Sequence, residues 1–316
     1  MSVYLVTGGA GFIGSHVVSE LVRKKQVVKV LDNFSTGKKR NLQEAEDKVE
    51  IINGDVRDSQ LVREVTKGVD FVLHQAALPS VERSVKDPLT TNEVNLGGTL
   101  NLLEASKFNK IKVFVFASSS SVYGNTPRLP KKEKMPSEPL SPYALSKLAA
   151  ERYCQLFYQL YGLNTVGLRY FNVFGPRQDP HSHYAAVIPR FILALVKGES
   201  PIIFGDGKQS RDFTYVDNVV NANLLACQSK SAGGEIINIA CGQRFSLNQL
   251  FKELSRTLGN HQKPIYTKPR PGDVKHSLAD IAKSKKLLHY TVEIDFRTGL
   301  RKTIDWFLTN RDYWEN

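Results

Sequence analysis

Apolar residues in the first half of the chain recur in short unbroken runs rather than in alternation. Residues 3–7, 27–31, 49–53, 71–74, 113–117 and 165–168 are brief stretches rich in Val, Ile, Leu and Phe. A strand with one wet face alternates apolar and polar positions, so continuous runs predict strands covered on both faces, as in a parallel sheet. Between them, residues 13–23, 60–66, 95–107 and 143–161 carry apolar side chains at helical spacing. Strand followed by helix, repeated, predicts an α/β fold with a doubly wound parallel sheet and right-handed crossovers.

Beyond residue 172 the rhythm loosens. Pro and Gly crowd residues 175–180, 198–207 and 269–272, and helical patterns return at 185–197, 216–228, 247–258 and 297–308. The expected organisation is a nucleotide-binding domain over 1–172 and a smaller C-terminal α/β substrate lobe over 173–316. The segment 216–240 is expected to fold back onto the first domain.

Composition narrows the picture. The chain has 316 residues, 41% hydrophobic and 23% charged, which excludes a disordered, collagen-like or coiled-coil protein. Forty-three Lys and Arg against 31 Asp and Glu leave a formal charge of +12, favouring anionic partners. The basic residues are dispersed, and Lys131, Lys132 and Lys134 are interrupted by Glu133, so neither nucleic acid nor a membrane surface is the expected partner. Cys154, Cys227 and Cys241 match no metal or disulfide spacing, which fits a reducing compartment. The start of the chain has no signal-like segment and no window approaches a membrane span, so a cytoplasmic protein is expected. His181 and His183 lack a third ligand at recognisable spacing, and no metal is expected.

The first chemical signal is Thr7-Gly8-Gly9-Ala10-Gly11-Phe12-Ile13-Gly14, set between the first strand and the first helix. Glycines at Gly8, Gly11 and Gly14 let the backbone turn sharply, approach a pyrophosphate and pack helix against strand. The N–H groups at that helix start then face the anion. Asp32 ends the second strand, about twenty residues on, where a carboxylate accepts the ribose hydroxyls of NAD and repels the extra phosphate of NADP. Lys38, Lys39 and Arg40 would favour NADP only if Asp32 were turned away. Asp55 closes the third strand, either reaching the adenine amino group or capping the next helix. The predicted cofactor is NAD in a Rossmann-type site.

The second signal is Tyr143 and Lys147 in Ser141-Pro142-Tyr143-Ala144-Leu145-Ser146-Lys147. Four residues apart, they share one helical face. A phenol with an ordinary pKa near 10 is a poor base at neutral pH, and a neighbouring ammonium lowers that value. Ser118, Ser119, Ser120 and Ser121 end the fifth strand, where such folds place ligands. A serine there can bond a substrate hydroxyl and share its proton with Tyr143, and the residues alone leave open which one.

These motifs together resemble the extended short-chain dehydrogenase/reductase family, and within it the NAD-dependent UDP-hexose 4-epimerases. The likeness runs from the Gly8 loop to about Lys286. It includes TGGAGFIG, LDNFSTG (31–37), GDV (54–56), HQAALPSVERSVKDP (74–88), NLGGTLNLLEA (95–105), SSSSVYG, SPYALSK, RYFNVFGPRQDP (169–180), GDGKQSRDFTYVDN (205–218) and RPGDVKHS (270–277). The resemblance implies that Tyr143, Lys147 and Ser119 are catalytic. It further implies that Phe12, Ile13, Asn33, Ser35, Gly37, Asp55, Val56, Gln75, Ala76, Ala77 and Tyr170 join the glycines and Asp32 around NAD. For a UDP-sugar it implies contacts from Ser119, Tyr143, Asn172, Val187, Arg211, Arg270, Asp273 and Ser277. The arginines suit phosphate oxygens on chemical grounds as well. The implied reaction inverts the sugar C4 through a transient 4-keto hexose, the cofactor being regenerated in each cycle.

Ser277 matches a wall position beside the sugar C2 substituent, where a bulkier tyrosine excludes an N-acetyl group in some relatives. The serine implies activity on UDP-N-acetylglucosamine and UDP-N-acetylgalactosamine, with UDP-glucose and UDP-galactose as further substrates. A 4,6-dehydratase would need an Asp-Glu pair where Ser120 and Ser121 stand. A UDP-glucuronate 4-epimerase or decarboxylase stays open as an alternative. A non-catalytic NAD sensor or RNA-binding protein, the alternative of another class, would have no need of Tyr143 and Lys147. The resemblance also implies a homodimer built on helices 95–107 and 143–161, with Leu100, Leu103, Phe157 and Tyr161 as candidate seam residues. His74 is expected to be a satisfied strand-end histidine, and Cys154 a core residue rather than a nucleophile.

Overall fold

The computed structural model describes residues 1–181, 186–269 and 274–315. Seven strands form one sheet: β1 (Val3–Thr7), β2 (Val27–Asp32), β3 (Glu50–Asn53), β4 (Phe71–His74), β5 (Val113–Ser119), β6 (Thr165–Tyr170) and β7 (Glu235–Ile239). All six neighbouring pairs are parallel, in the order β7-β6-β5-β4-β1-β2-β3. The strand order reverses between β1 and β4, and the crevice at such a switch point is where doubly wound sheets bind ligands.

The unbroken apolar runs have the cause inferred from the sequence. Successive side chains point to opposite faces, and both faces are covered. Tyr4, Val6, Val28, Val30, Val115 and Leu168 pack into one core with Val17, Val18 and Leu21 of helix α1 (Phe12–Arg23). Leu5, Leu31, Val72, Phe114 and Phe116 pack into the other. There they meet Val62 and Val65 of α2 (Ser59–Val65), Leu102 and Leu103 of α3 (Gly98–Phe108), and Ala150, Cys154 and Phe157 of α4 (Pro142–Tyr161). Burying a Val, Leu or Phe side chain of this kind contributes about 1.5–3 kcal/mol.

Helix ends follow local chemistry. Asp58 caps α2, accepting from the N–H groups of Gln60 and Leu61. Ser141 caps α4 through the Ala144 N–H, with Pro142 in the first turn and left-handed Gly162 at the far end. Asp55 is therefore not the cap of α2. One expected helix differs at its start: α3 begins at Gly98, after a π turn over Glu93–Gly97.

The C-terminal portion is assembled differently. Helix α5 (Val187–Val196), α6 (Val216–Gln228), α7 (Leu247–Leu258) and α8 (Phe296–Thr309) are joined by strands of two or three residues. Val173–Phe174 pairs with Thr214–Tyr215, Ser210–Arg211 with Phe245–Ser246, and Ile202–Phe204 with Ile265–Thr267. Segment 216–240 supplies α6, which packs on α1, and β7, the edge strand beside β6. A short helix, α9 (Arg311–Glu315), ends the described chain with Trp314 buried. Among the described residues no helix is long and apolar enough to cross a membrane.

Candidate active site

A cavity of about 650 Å³ opens above the C-terminal ends of the strands. Its floor at one end is the glycine loop. Gly8 adopts φ +67°, and a Cβ there would meet the Ala76 backbone at 2.7 Å. A Cβ on Gly14 would lie 2.1 Å from the Gly8 carbonyl oxygen, so only glycine lets α1 start this close to β1. Phe12, Ile13, Asn33, Ser35, Val56, Ala76 and Ala77 line the same end. Gly37 does not; it packs against Ala10 and the Asp32 carboxylate, where a Cβ would come within 2.9 Å of either.

Asp32 is nearly buried, and its oxygens accept from the N–H groups of Ala10 at 2.9 Å and Phe34 at 2.8 Å. Burial raises its pKa while those two bonds pull it down. The carboxylate is thus held facing the cavity rather than turned away. The neighbouring cations have other partners: Lys38 bridges to Asp179 at 2.9 Å, and the Arg40 guanidinium lies 3.8 Å above the Tyr313 ring. Asp55 also lines the cavity, gripped by Arg57 and Asn33, which hold its carboxyl down at about 2.

Tyr143, Lys147 and Ser119 meet at the centre. Ser118 and Ser119 are adjacent on β5 but point apart. The Ser118 hydroxyl donates to Glu151 at 2.5 Å, while Ser119 lines the cavity with Tyr143, pulls the pKa of that phenol down and accepts from the Ser121 N–H at 3.2 Å. The geometry thereby separates serines that the residues alone left equivalent. The ammonium of Lys147 donates to the Ala117 carbonyl at 2.9 Å and lies 4.9 Å from the Phe116 ring. Its pKa falls to about 8 through burial. The expected acidification of Tyr143 is not what these side chains produce by themselves. Burial pushes the phenol up, and the influence pulling it down is the Ser119 hydroxyl, not Lys147. The lysine is spent on β5, and removing water from a phenol disfavours its anion.

Beyond Tyr143 the cavity is walled by the C-terminal portion. Asn172, at φ +36°, donates to the Asp212 carbonyl at 3.2 Å and to the Ser277 hydroxyl at 3.4 Å. Arg211 reaches the wall from its short strand, and Ser277 is held by its N–H bond to the Ser210 carbonyl. Val187 opens α5 without lining the cavity, and its neighbour Ala186 lines it instead. Arg270, Asp273 and His183 lie outside the described residues.

Several lining residues went unread in the sequence. Arg177, at φ +64°, bonds the Ser15 carbonyl and Ser19 on α1, and His16 bonds the Pro176 carbonyl at 2.9 Å. Tyr313 hydrogen-bonds Asn41, which donates to the Ala10 carbonyl at 2.7 Å. Asn223 of α6, behind the lining, was also unread; it forms a triangle with Gln75 and Tyr170, both of which the resemblance had implied, at 3.0–3.2 Å. The GPRQDP motif was the visible trace of Arg177; Tyr313 and Asn223 carry no local signal. His74 is buried between Thr7 and Thr99, at 2.7 and 2.9 Å. Burial pushes the Cys154 thiol well up, as suits a core residue. Among the described residues no group of three or more His, Cys, Asp and Glu is placed to hold a metal.

The glycine cradle, which any Cβ at Gly8 or Gly14 would fill, and the inward carboxylate of Asp32 fit a dinucleotide. Its pyrophosphate would lie over the start of α1 and its adenosine ribose against Asp32.

Known proteins agree with this geometry. The pattern described as the NAD dependent epimerase/dehydratase family matches residues 4–240. A putative UDP-glucose 4-epimerase of Methanocaldococcus jannaschii is 44% identical, over 97% of this chain and 98% of its own. The structure of a UDP-N-acetylglucosamine 4-epimerase from Methanobrevibacter ruminantium M1, in complex with UDP-N-acetylmuramic acid, superposes with a TM-score of 0.94. It is 45% identical, with 98% of each chain covered. A Thermus thermophilus UDP-glucose 4-epimerase complexed with NAD superposes at 0.89, with 37% identity, covering 98% of this chain and 99% of that one.

Proposed function

Since this chain belongs to the NAD-dependent epimerase/dehydratase family, we propose that it inverts C4 of UDP-hexoses and accepts those carrying a C2 N-acetyl group. The observation that carries the substrate assignment is the wall formed by Asn172 and Ser277. A serine beside the sugar leaves room that a tyrosine would fill. Arg211 supplies a guanidinium for the diphosphate at the same end.

When bound, NAD supplies a reversible hydride acceptor for C4. Tyr143 removes the proton of the C4 hydroxyl, with Ser119 bonding that hydroxyl and steadying the phenol. Burial favours the protonated phenol, so the anion must be favoured by positive charge in the loaded site. Lys147 would contribute its ammonium from one helical turn away and would hold the nicotinamide ribose. Gly8, Gly11, Gly14 and Asp32 would hold the dinucleotide, with Gln75 and Tyr170, fixed by Asn223, lining the same cavity.

Chromatographic product analysis with UDP-glucose, UDP-galactose, UDP-N-acetylglucosamine and UDP-N-acetylgalactosamine tests this, with UDP-glucuronate as the contrasting substrate. Interconversion of the N-acetylated pair is expected, reduced roughly 10²–10⁴-fold in Tyr143→Phe. Turnover of UDP-glucuronate alone would overturn the assignment.

A homodimer is part of the proposal, with its seam revised. Leu103 and Phe157 are buried in the chain's own core and Leu100 is half-buried. Of the four candidates only Tyr161 is exposed; it is joined on α4 by exposed Leu145, Tyr153, Leu156, Tyr158 and Leu160, and by Val81, Val85 and Leu89 on the short helices packed beside it. Such an apolar face on a charged protein suits a second copy. Light scattering should report twice the chain mass, and Leu160→Glu should shift it toward one.

A further inference from the structure

Three successive residues at the end of β5 each face a different turn of α4. Ala117 accepts from Lys147, Ser118 donates to Glu151, and Ser119 shares the cavity lining with Tyr143. Tyr143, Lys147 and Glu151 are four residues apart and line one face of the helix. Glu151, 1% exposed, is also paired with Arg169 of β6 through two bonds, at 2.7 and 2.8 Å. The Arg169 guanidinium in turn lies 4.6 Å from the Tyr123 ring, whose hydroxyl donates to Asn238 at 2.7 Å. A buried ion pair is weak evidence of added stability, because desolvation offsets most of the attraction and an apolar pair of equal volume serves as well. Its place directly behind the reacting groups calls for another reason.

We propose that Glu151 is a positioning residue for the reaction: through Ser118 and Arg169 it sets β5 against α4 so that Ser119 meets Tyr143, and its carboxylate keeps Lys147 charged. The first part follows from length. Ser118 and Ser119 are consecutive on a strand and point to opposite sides, so anchoring one hydroxyl at 2.5 Å fixes the rotation that presents the other. The second follows from the surroundings of Lys147. Burial depresses it to about 8, against the opposing influence of Cys154 and Glu151. Cys154 is a neutral thiol, since burial pushes it far up, which leaves the carboxylate of Glu151, ion-paired with Arg169 at 2.7 Å, as the negative group acting on Lys147. His74, which also acts on Lys147, adds no negative charge, being held neutral by burial; Arg169 is paired with Glu151 itself.

The proposal rests on the chemistry assigned above to Tyr143, and its test separates the two. In Glu151→Gln, kcat should fall roughly 10- to 100-fold with KM nearly constant, and the alkaline limb of the kcat profile should move down by about one pH unit. Ser118→Ala keeps the carboxylate and should lower kcat while leaving that limb in place. Should Glu151→Gln not fold, the matched variant Glu151→Leu with Arg169→Met removes both charges and tests the positioning alone: kcat should fall with KM nearly constant, while the alkaline limb moves less than in a variant that loses only the carboxylate. The proton affinity of Lys147, followed by nitrogen NMR of labelled lysine in the holoenzyme, gives a readout independent of turnover. A downward shift there supports the charge assignment even if no UDP-hexose is epimerised, which would defeat the proposed function instead. An unmoved limb and an unmoved lysine resonance in the Glu151 variants, with kcat falling only as the folded fraction falls, would overturn the inference.

Discussion

The two ends of the cavity are built on different terms. At the dinucleotide end, the candidate residues stand at the tips of adjacent parallel strands: Gly8 after β1, Asp32 on β2, Asp55 after β3, Gln75 after β4 and Ser119 on β5. Their spacing is that of the sheet, and each needs only its own strand to arrive. At the other end, Asn172, Arg211 and Ser277 come from loops and strands of two residues, held to one another by single hydrogen bonds across long stretches of chain. A continuous sheet supplies a stiff site for one invariant ligand. Short pairings supply a wall that tolerates replacement, which is where substrate preference is expected to reside.

The sharpest break is Gly14→Ala. Its Cβ would collide with the Gly8 carbonyl at 2.1 Å, so copurified NAD should be lost, with at least about 4 kcal/mol of stability. A calorimetric melt and the absorbance of extracted cofactor read both. A normal melt with full cofactor would deny that the cradle is rigid.

Acid should also weaken the dinucleotide half first. His74 and His16 are lowered by burial to about 3 and about 4. In the unfolded chain both take up protons below about 6.5, while the folded protein refuses them. The unfolded state therefore binds more protons across that window, and stability falls as pH drops from about 6.5 toward 4. The loss at pH 4 is on the order of 3 kcal/mol per histidine. Urea titrations at several pH values measure it, and a flat profile would contradict the burial. His74→Gln should flatten the slope.

At the sugar end, Arg211→Ala should raise KM for UDP-hexoses roughly 10- to 100-fold, the loss of a charge-assisted phosphate bond, without changing bound NAD. Equal loss of both would mean that the two ends are not independent. Ser277→Tyr is gentler still. It should leave UDP-glucose turnover within a few-fold and cut turnover of the N-acetylated substrate by roughly tenfold or more. An unchanged ratio between the two would remove Ser277 from the specificity wall.

Legibility in the sequence follows the same division. The strands of the first half were readable because their burial on both faces writes an unbroken apolar run, and α1 and α4 because their caps and glycines are local. β7 was harder. It reaches the sheet only after α6 has crossed over it, and five residues, Glu235–Ile239, carry little pattern of their own. The glycine loop, Asp32, Tyr143 and Lys147 were legible because each is one step of chain from the strand or turn that positions it. Gly37, within the LDNFSTG motif, and Val187, at the start of α5, do not line the cavity: Gly37 packs against Ala10 and Asp32 and Val187 against the core, since proximity in sequence to lining residues does not place a residue at the surface of the cavity.

What the chain specifies by itself is what depends on neighbours in sequence: periodic burial, turn chemistry, and two side chains sharing a helical face. The partition of serines was decided only in three dimensions, when Glu151 took Ser118 and left Ser119 to Tyr143. So was the protonation of that phenol, which depends on how much water the fold removes and where Lys147 spends its hydrogen bond. Pairings such as Lys38 with Asp179, or Tyr313 with Asn41, join residues far apart along the chain. Desolvation and such long-range contacts are properties of a packed volume, and no local pattern records them.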